Sequence, residues 1–292
     1  MTAAMNEQVA AAIAYEELFV PALFRQWAAR VLDAARVGAG DRVLDVACGT
    51  GILARQALDR VGPSGTVSGL DVADGMLEVA KQLAPTIEWR QGSAEALPFP
   101  EESFDAVVSQ FGLMFFADRA QALREMVRVL VPNGRLAVAV WESLDRIPAV
   151  AKEVEILERI AGSEAADALR APFTLGDADA LKALAEDVGV VSIEIGTHEG
   201  EAQFPSIRSL VEADLRGWLP IIGVMLPEER IAQILDVADV ELSVVEITTL
   251  VSPNSPQEPT LALRARAAQA VSRTQRERMT LVGVGKRGIL KV

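Results

Sequence analysis

The feature that most constrains the fold is the alternation of short apolar segments with amphipathic segments between residues 42 and 140. Strands are predicted at residues 42–47, 66–70, 86–90, 104–109 and 135–140, and helices at residues 51–61, 74–83 and 119–130. Strands separated by helices need crossover connections, which favour a mostly parallel sheet. The sequence therefore predicts an α/β fold with a doubly wound, Rossmann-like sheet, whose ligand lies beyond the carboxyl ends of the strands.

The segments outside this alternation are predicted to be mainly helical. Residues 1–40 form an N-terminal helical cap of two helices, with Pro21 in the first turn of the second helix, and the main domain runs over residues 41–251. Pro132-Asn133-Gly134 is predicted to be a turn. After Trp141 we expect helices at 149–160 and 178–187, a strand at 190–195, and a helical insertion at about 205–239 that serves as a substrate cover.

The C-terminal segment differs in composition from the rest of the chain. Residues 252–259 are rich in proline and polar residues, as is typical of a linker. Residues 261–292 hold eight Lys or Arg and one acid, so they carry +7 while the first 260 residues carry −20. Weak apolar periodicity and few aromatic residues favour disorder, and residues 252–292 are interpreted as a linker and a basic, disordered tail.

Composition excludes several function classes. A net charge of −13 makes nucleic acid an unexpected partner, since phosphate binding relies on clustered Lys and Arg. We expect no transmembrane segment, because no apolar run approaches the ~20 residues of a membrane span. No secretion signal is recognisable at the N-terminus, and one cysteine with one histidine makes a metal site implausible. A cytoplasmic protein without a bound metal is therefore predicted.

The segment from Val43 to Ala54, VLDVACGTGILA, holds the strongest functional pattern. Gly49 and Gly51 allow a sharp turn from strand to helix and a close approach of backbone amides to a ligand. Asp71, at the end of the second strand, is placed to accept two ribose hydroxyls. The glycines alone also fit the looser G-x-G-x-x-A pattern of dinucleotide-binding proteins, so they do not decide between nucleotide ligands.

Asp45 is the more selective residue in this segment. Its carboxylate would repel the pyrophosphate of a dinucleotide, but it complements the ammonium and sulfonium groups of S-adenosylmethionine. The alternative is that Asp45 caps the helix that follows, by accepting hydrogen bonds from free backbone amides.

The whole stretch resembles motif I of the class I S-adenosylmethionine-dependent methyltransferases. Within that family it is most similar to the small-molecule branch that includes the ubiquinone/menaquinone biosynthesis C-methyltransferases. Further similar segments follow in the family's order, over about residues 15–142: GLDVADGML at 69–77, QGSAEALPF at 91–99, SFDAVVSQ at 103–110 and RVLVPNGRL at 128–136.

The resemblance implies a set of residues that bind S-adenosyl-L-methionine. Those around the methionine and ribose moieties are Asp45, Ala47, Gly49, Gly51 and Asp71. Those around the adenine and the transferred methyl group are Val72, Met76, Gly92, Ser93, Ala94 and Gln110. Ser93 departs from the family, whose members usually have Asp there; its hydroxyl can still accept a hydrogen bond from the adenine amine.

The resemblance also implies a seven-stranded sheet whose last strand lies antiparallel beside the fifth. Residues 240–250 are a candidate for one of the two final strands, and residues 260–266 are a weaker candidate for the other.

The candidate substrate and catalytic residues come from four regions of the chain. Substrate-pocket candidates are Tyr15 over the cofactor mouth, the residues after the fourth strand and the residue that ends the fifth: Phe111, Met114, Phe115 and Trp141. Core packing is the alternative for these apolar residues. His198, after the predicted strand at 190–195, is the one weak candidate for a general base, and Cys48 is interpreted as a small apolar filler.

The predicted function is methyl transfer from S-adenosylmethionine to the O, C or N atom of a small-molecule acceptor by in-line displacement. An NAD(P)-dependent oxidoreductase is one alternative, although Tyr15 is the sole tyrosine and a Tyr/Lys proton-donor pair is therefore disfavoured. A non-catalytic protein that binds S-adenosylmethionine is the other alternative.

Overall fold

The structure is a computed structural model that describes residues 3–188, 192–250 and 275–285, with side chains described for residues 5–188 and 193–243. The chain divides into two compact units. The first comprises Met1–Ser143, Pro172–His198 and Arg278–Val292, and the second comprises Leu144–Ala171 and Glu199–Glu277. The N-terminal helices belong to the same unit as the parallel sheet, and the role of residues 1–40 as a cap stays a prediction.

The sheet is built on five parallel strands. They are β1 (Arg42–Val46), β2 (Thr66–Asp71), β3 (Glu88–Gln91), β4 (Phe104–Gln110) and β5 (Leu130–Trp141). β1 pairs with β2 and β4 on its two sides, β3 pairs with β2, and β5 pairs with β4, all in parallel. This arrangement confirms the prediction of a mostly parallel, Rossmann-like α/β sheet. The strand order runs outward from β1 to β3 on one side and from β4 to β5 on the other, so β1 and β4 lie side by side at the point where the order reverses.

Helices connect the strands and cover the sheet. Their bounds are α1 (Ala3–Phe19), α2 (Arg25–Ala34), α3 (Ile52–Val61), α4 (Asp74–Leu83) and α5 (Arg119–Arg128). Between α1 and α2, residues Val20–Phe24 form a π-helical turn that contains Pro21. The proline therefore lies in the junction of the two helices and not in the first turn of the second, where the sequence placed it.

The core of the first unit is apolar on both faces of the sheet. The central strands are almost wholly buried: Val43, Leu44, Val46, Ala106 and Val107 are inaccessible to solvent. Such continuous apolar runs are expected for parallel strands that have helices on both faces.

The predicted turn at residues 132–134 is part of an irregular stretch of β5. Phe104 is opposite Leu130, but Ala106 is already opposite Arg135, so the residues between Leu130 and Arg135 bulge out of register. Asn133 has a φ of 66°, a left-handed conformation that asparagine tolerates better than most residues. The local turn chemistry was recognised correctly, but pairing on both sides makes it a bulge inside one strand.

The remaining elements after β5 correct several sequence-based boundaries. They are α6 (Pro148–Ala161), α7 (Ser163–Arg170), α8 (Ala178–Asp187), β6 (Ser192–Ala202), α9 (Ile207–Ala213), a π-helical turn (Asp214–Trp218), α10 (Leu219–Ile221), α11 (Glu228–Leu250) and β7 (Gln275–Gly285). The segment at 205–239 is thus largely helical, and its role as a substrate cover stays a prediction. None of the described helices combines the length and apolar character needed to cross a membrane.

The predicted strand at residues 240–250 is wrong, because these residues continue α11. The buried side chains of this helix recur at intervals of three and four residues, namely Ile231, Ile234, Leu235, Ala238 and Leu242. This spacing gives one helical face, and it outweighs the strand preference of the β-branched residues near the end of the segment.

The prediction of a disordered tail is wrong for residues 275–285. They form β7, which pairs antiparallel with β5 from Arg135–Gly285 to Trp141–Met279. The strand order across the sheet is β3-β2-β1-β4-β5-β7-β6. Residues 251–274 and 286–292, with the weak strand candidate at 260–266, lie outside the described residues.

The contact of α1 with α4 leads to a test of the fold. A Cβ atom at Gly75 would lie 2.7 Å from the carbonyl carbon and oxygen of Gln8. Gly to Ala inside a helix normally stabilises by roughly 0.5–1 kcal/mol. Here we expect Gly75→Ala to destabilise instead, by about 1 kcal/mol or more, because backbone atoms of α1 must move. Denaturant unfolding measures the difference in the free energy of unfolding.

Gly38→Ala is the matched control, since a Cβ there meets nothing within 4 Å and the backbone is not left-handed. It should be neutral or slightly stabilising. A stabilised Gly75→Ala protein would show that α1 does not lie against α4 in this way.

Candidate functional site

The loop between β1 and α3 is shaped by three left-handed residues. Ala47, Gly49 and Gly51 have φ values of 58°, 54° and 87°. Glycine adopts this conformation without strain, whereas alanine does so at a cost. The turns bring the loop beside the end of β4, because a Cβ at Gly112 would lie 2.6 Å from the Cβ of Ala47. The strand-to-helix turn predicted from Gly49 and Gly51 is therefore present.

Asp71 is held at the end of β2 by backbone amides. Its Oδ2 accepts a hydrogen bond from Gly49 N at 2.8 Å, and its Oδ1 accepts one from Ala73 N at 2.9 Å. Burial raises the pKa of Asp71, and these amides lower it in part. The carboxylate thus joins the glycine loop to the end of the neighbouring strand, which brings together two of the predicted cofactor residues.

Asp45 is 1% exposed and caps α3. Its Oδ2 accepts a hydrogen bond from Ala54 N, in the first turn of the helix, at 3.0 Å. Burial raises the pKa of Asp45 well above its usual range, the Ala54 amide lowers it in part, and the charge of Asp71 raises it further. The helix-capping alternative is therefore present in the structure, and a contact of Asp45 with a cofactor stays a prediction.

Tyr15 on α1 lies where the acidic side chains converge. A Cβ at Gly49 would be 4.0 Å from its ring carbon Cε1. Burial raises the pKa of the Tyr15 hydroxyl, and the charges of Asp71, Glu16 and Asp45 raise it further. The negative charges of Asp71 and Asp45 thus act on a side chain that lies beside the glycine loop, whereas the Glu16 carboxylate is paired with Arg55. A cation is the ligand that such an arrangement complements.

Glu16, which sequence reasoning missed, connects α1 to the same loop. Its Oε2 accepts from Thr50 Oγ1 at 2.6 Å, and its Oε1 accepts from Arg55 Nη2 at 2.7 Å. Thr50 is 1% exposed. No sequence signal could have paired residues 16 and 50, because their proximity depends on how α1 docks on the sheet.

Trp89 on β3, also missed from the sequence, lies against the glycines. Cβ atoms at Gly51 and Gly69 would lie 2.4 Å and 2.3 Å from its ring. The indole is anchored by a hydrogen bond from Nε1 to Ala84 O of 2.9 Å. A glycine is thus required at position 51 for two reasons: the backbone there is left-handed, and the Trp89 ring leaves no space for a Cβ atom.

The predicted adenine-side residues lie at the ends of β2 and β3. Val72 is exposed, Met76 is half-buried in the first turn of α4, and Ala94 is buried. Gly92 N donates to Asp71 O at 3.0 Å, which places the segment after β3 beside Asp71. Ser93 Oγ donates to Glu95 Oε2 and accepts from Glu95 N at 3.1 Å.

Gln110 ends β4 at the same carboxyl edge. Its Nε2 donates to Phe24 O at 3.2 Å, and its buried Oε1 has no hydrogen-bond partner among the described residues. A buried acceptor without a partner is unusual and marks a position where a ligand could bind.

Three of the pocket candidates, Tyr15, Phe111 and Trp141, belong to one aromatic cluster around Phe24. Phe111 stacks on Trp141 with a centroid distance of 3.9 Å and an angle of 4°, and Phe24 contacts both rings and Tyr15. Phe111, Met114 and Trp141 are buried, which agrees with the core-packing alternative, whereas Phe115 is 45% exposed. Phe24, which contacts four other rings, was not among the predicted residues.

Neither the His198 ring nor the Cys48 thiol is hydrogen-bonded to Asp45 or Asp71 among the described residues. His198 lies within β6 and not after a strand, so its predicted position is corrected. Burial and the charge of Arg30 lower its pKa. Cys48 is buried, and burial raises the pKa of its thiol well above its usual range, so it remains a thiol.

Comparison with known proteins agrees with this geometry. Residues 44–138 match a family described as a methyltransferase domain. The ubiquinone/menaquinone biosynthesis C-methyltransferase UbiE of Hahella chejuensis is 38% identical over 178 residues, which cover 59% of this chain and 69% of the relative. The chain belongs to the class I S-adenosylmethionine-dependent methyltransferases of the UbiE type. The predicted family, cofactor and reaction class are thereby confirmed.

Other similar proteins agree over shorter stretches or share the fold. The 2-phytyl-1,4-naphtoquinone methyltransferase of Thermosynechococcus vestitus is 43% identical over 119 residues, 40% of this chain and 53% of the relative. The chain thus spans about half the length of that relative. The solved YcgJ protein of Bacillus subtilis is 20% identical with a TM-score of 0.54, covering 90% of this chain and 99% of the other, which shows the shared fold.

The two glycines against Trp89 give a test of the loop. We expect Gly69→Ala to cost about 1–3 kcal/mol of unfolding free energy through overpacking against the ring. Gly51→Ala should cost roughly 1–2 kcal/mol more, because its backbone is also left-handed. In a Trp89→Leu background most of the cost of Gly69→Ala should be lost, with a remainder from Cys48 Sγ at 3.1 Å, whereas Gly51→Ala should keep its backbone cost.

Denaturant unfolding of these six proteins, including wild type and Trp89→Leu, measures the two couplings. If Trp89→Leu reduced the unfolding free-energy cost of Gly51→Ala and of Gly69→Ala equally, the result would contradict the requirement for a left-handed backbone at residue 51. No rescue of Gly69→Ala would contradict the position of Trp89.

Proposed function

We propose that this site binds S-adenosylmethionine and that the chain methylates a small-molecule acceptor, with a quinone-type ring as the first class to test. The observation that carries the proposal is the pair of shielded carboxylates at the glycine loop, where Asp71 Oδ2 accepts from Gly49 N at 2.8 Å and Asp45 is 1% exposed. A cofactor that carries both an ammonium and a sulfonium group gains from this charge, whereas a pyrophosphate would be repelled. The names of the quinone methyltransferase relatives supply the acceptor class.

The residues fit three parts of the cofactor: its ribose, its methionine end and its adenine. Asp71 offers a carboxylate at the strand end for the ribose hydroxyls, while Gly49 and Gly51 keep the loop free of side chains at the methionine end. Val72 and Met76 offer apolar contact for the adenine, and the Ser93 hydroxyl and the Ala94 backbone offer polar contacts for its edge. Ala47 and Gly92 let the neighbouring backbone approach closely. Asp45 supports the loop by capping α3 and adds negative charge.

When bound, S-adenosylmethionine would supply an activated methyl group for in-line transfer to an acceptor atom, with the electron pair of the broken bond left on sulfur. The chain's residues contribute alignment and exclusion of water, which can supply much of the acceleration. The Gln110 side chain, whose Nε2 is anchored on Phe24 O, directs its amide oxygen to a buried position. Phe111, Met114, Phe115, Trp141 and Tyr15 would form an apolar wall for the acceptor.

Several finer points belong to the same proposal. β7 and β6 would complete the seven-stranded sheet typical of methyltransferases, and the segment at 205–239 would serve as a substrate cover. Cytoplasmic location is proposed from the low cysteine content. His198 would act as a general base only for an acceptor that must lose a proton.

Ligand binding tests the proposal directly. We expect wild type to bind S-adenosylmethionine and S-adenosylhomocysteine in calorimetry and not to bind NADH. Asp71→Ala should weaken both adenosyl ligands by roughly 10–100-fold, because hydrogen bonds to a charged group are lost. Asp59→Ala, an exposed aspartate on α3, is the control and should bind as wild type does.

Tight NADH binding, or no binding of either adenosyl ligand, would overturn the proposal. An acceptor screen that measures release of S-adenosylhomocysteine then tests catalysis. Binding without turnover of any acceptor, quinone-type rings included, would favour the non-catalytic alternative.

The buried carboxylates predict a pH dependence of binding. Burial raises the pKa values of Asp71 and Asp45, so protonation begins at a higher pH than for exposed aspartates. A cation prefers the ionised forms, so affinity increases as pH rises through these raised pKa values and falls as pH drops. As pH is lowered from neutral, we expect S-adenosylmethionine to lose affinity more steeply than S-adenosylhomocysteine, whose sulfur is neutral. Parallel calorimetric titrations measure this ratio, and a constant ratio would contradict the role of the carboxylates.

A further inference from the structure

Glu16 is the point where three elements of the first unit meet. It lies on α1, its Oε2 accepts from Thr50 Oγ1 in the glycine loop, and its Oε1 accepts from Arg55 Nη2 on α3. The ion pair is mostly shielded, with 15% exposure of the Glu16 side chain and 23% of the Arg55 side chain. Shielding from water makes the pair stronger than an exposed surface pair.

Arg55 connects this pair to the loop backbone. Its Nε donates to Gly51 O at 3.3 Å, while its Nη2 donates to Glu16. The loop is thereby held from two directions, through the Thr50 hydroxyl and through the Gly51 carbonyl. Arg55 also offsets the charge of Glu16, which would otherwise add to that of Asp45 and Asp71.

A second contact holds the other part of α1. The backbone of Gln8 lies against Gly75 in the first turn of α4. Gln8 and Glu16 are eight residues apart, which is about 12 Å along an α-helix. One end of this stretch thus lies at the helix that follows Asp71, and the other lies at the loop that holds Gly49. Tyr15, next to Glu16, lies against Gly49 itself.

We propose that Glu16 is a positioning residue that latches α1 over the cofactor loop, so that entry of S-adenosylmethionine and departure of S-adenosylhomocysteine require the latch to open. The proposal rests on the proposed function of the site. Glu16 acts through Thr50 and Arg55 and keeps Tyr15 in place over the loop. Loss of the latch leaves the loop intact but lets α1 separate from it more often.

The latch predicts a kinetic effect, measured as dissociation of S-adenosylhomocysteine in a stopped-flow chase. Glu16→Ala should raise the dissociation rate about 10-fold, equivalent to about 1.4 kcal/mol. Association should be unchanged or faster, because the open form is more populated. Hydrogen exchange of the amides in residues 5–19 should also become faster in the ligand-free protein. Glu16→Gln, which keeps the shape but not the charge, should show a smaller change of the same sign.

Glu17→Ala is the matched control, because Glu17 is the adjacent acid on the same helix and is exposed. It should leave the dissociation rate and the exchange of residues 5–19 at wild-type values. Arg55→Ala should change dissociation in the same direction as Glu16→Ala, and the double variant should be faster by less than the product of the two single effects, since both single variants remove the shared ion pair.

Other results of the dissociation and exchange measurements would overturn the latch, or would distinguish its failure from a failure of the proposed function. Unchanged dissociation and exchange in a folded Glu16→Ala protein would overturn it. A lower melting temperature and weaker ligand binding of Glu16→Ala, with unchanged hydrogen exchange in residues 5–19, would also overturn the latch. Glu16 would then only support the fold. Should Glu16→Ala not fold, the same readings are taken on Glu16→Gln. If wild type and Glu17→Ala both fail to bind the ligand, the proposed function fails, and exchange in the ligand-free proteins still decides the latch.

Discussion

The hydrogen bond from the Gly49 amide to the Asp71 carboxylate is the interaction on which the rest of the site depends. It joins the loop after β1 to the end of β2, two strands that are already in parallel register. The bond requires the left-handed backbone of Gly49, and it fixes the loop beside Asp71. Because the loop also begins α3, the same bond sets where the positive end of that helix points.

The carboxylates of the site are held together at a free-energy cost. Burial raises the pKa values of Asp45 and Asp71, which means that their ionised forms are less favourable than in water. Backbone amides offset part of this cost for both residues, and Arg55 offsets the third charge, that of Glu16. A cationic ligand would offset the part of this free-energy cost that the amides and Arg55 leave uncompensated. The cost in the free protein therefore favours a sulfonium cofactor over a pyrophosphate one.

Close packing around the loop explains why small residues recur there. The Trp89 ring lies against the positions of Gly51 and Gly69, and the Ala47 methyl group lies against Gly112. A side chain at any of these glycines would displace the Trp89 ring or the Ala47 methyl group, because protein interiors leave little free volume. The glycines of the motif thus serve both the turn and the surrounding packing.

The sequence by itself determined the parallel α/β sheet, the loop from Asp45 to Gly51 and the family. These features are local: apolar periodicity indicates β1, β2 and β4, and the motif residues are within about ten positions of one another. The same local signals misplaced residues 240–250, which continue the long helix α11, whose buried side chains up to Leu242 share one face.

Only the tertiary structure decided the contacts between residues distant in sequence. Residues 275–285 pair with β5, Glu16 reaches Thr50, and Trp89 lies against Gly51. None of these pairs has a periodic or spacing signal, because each arises from how whole elements dock. For Asp45, the sequence indicated two alternatives, a contact with the ligand and a cap on the helix that follows. The packing of α3 on β1 then decided that its carboxylate accepts a hydrogen bond from the Ala54 amide.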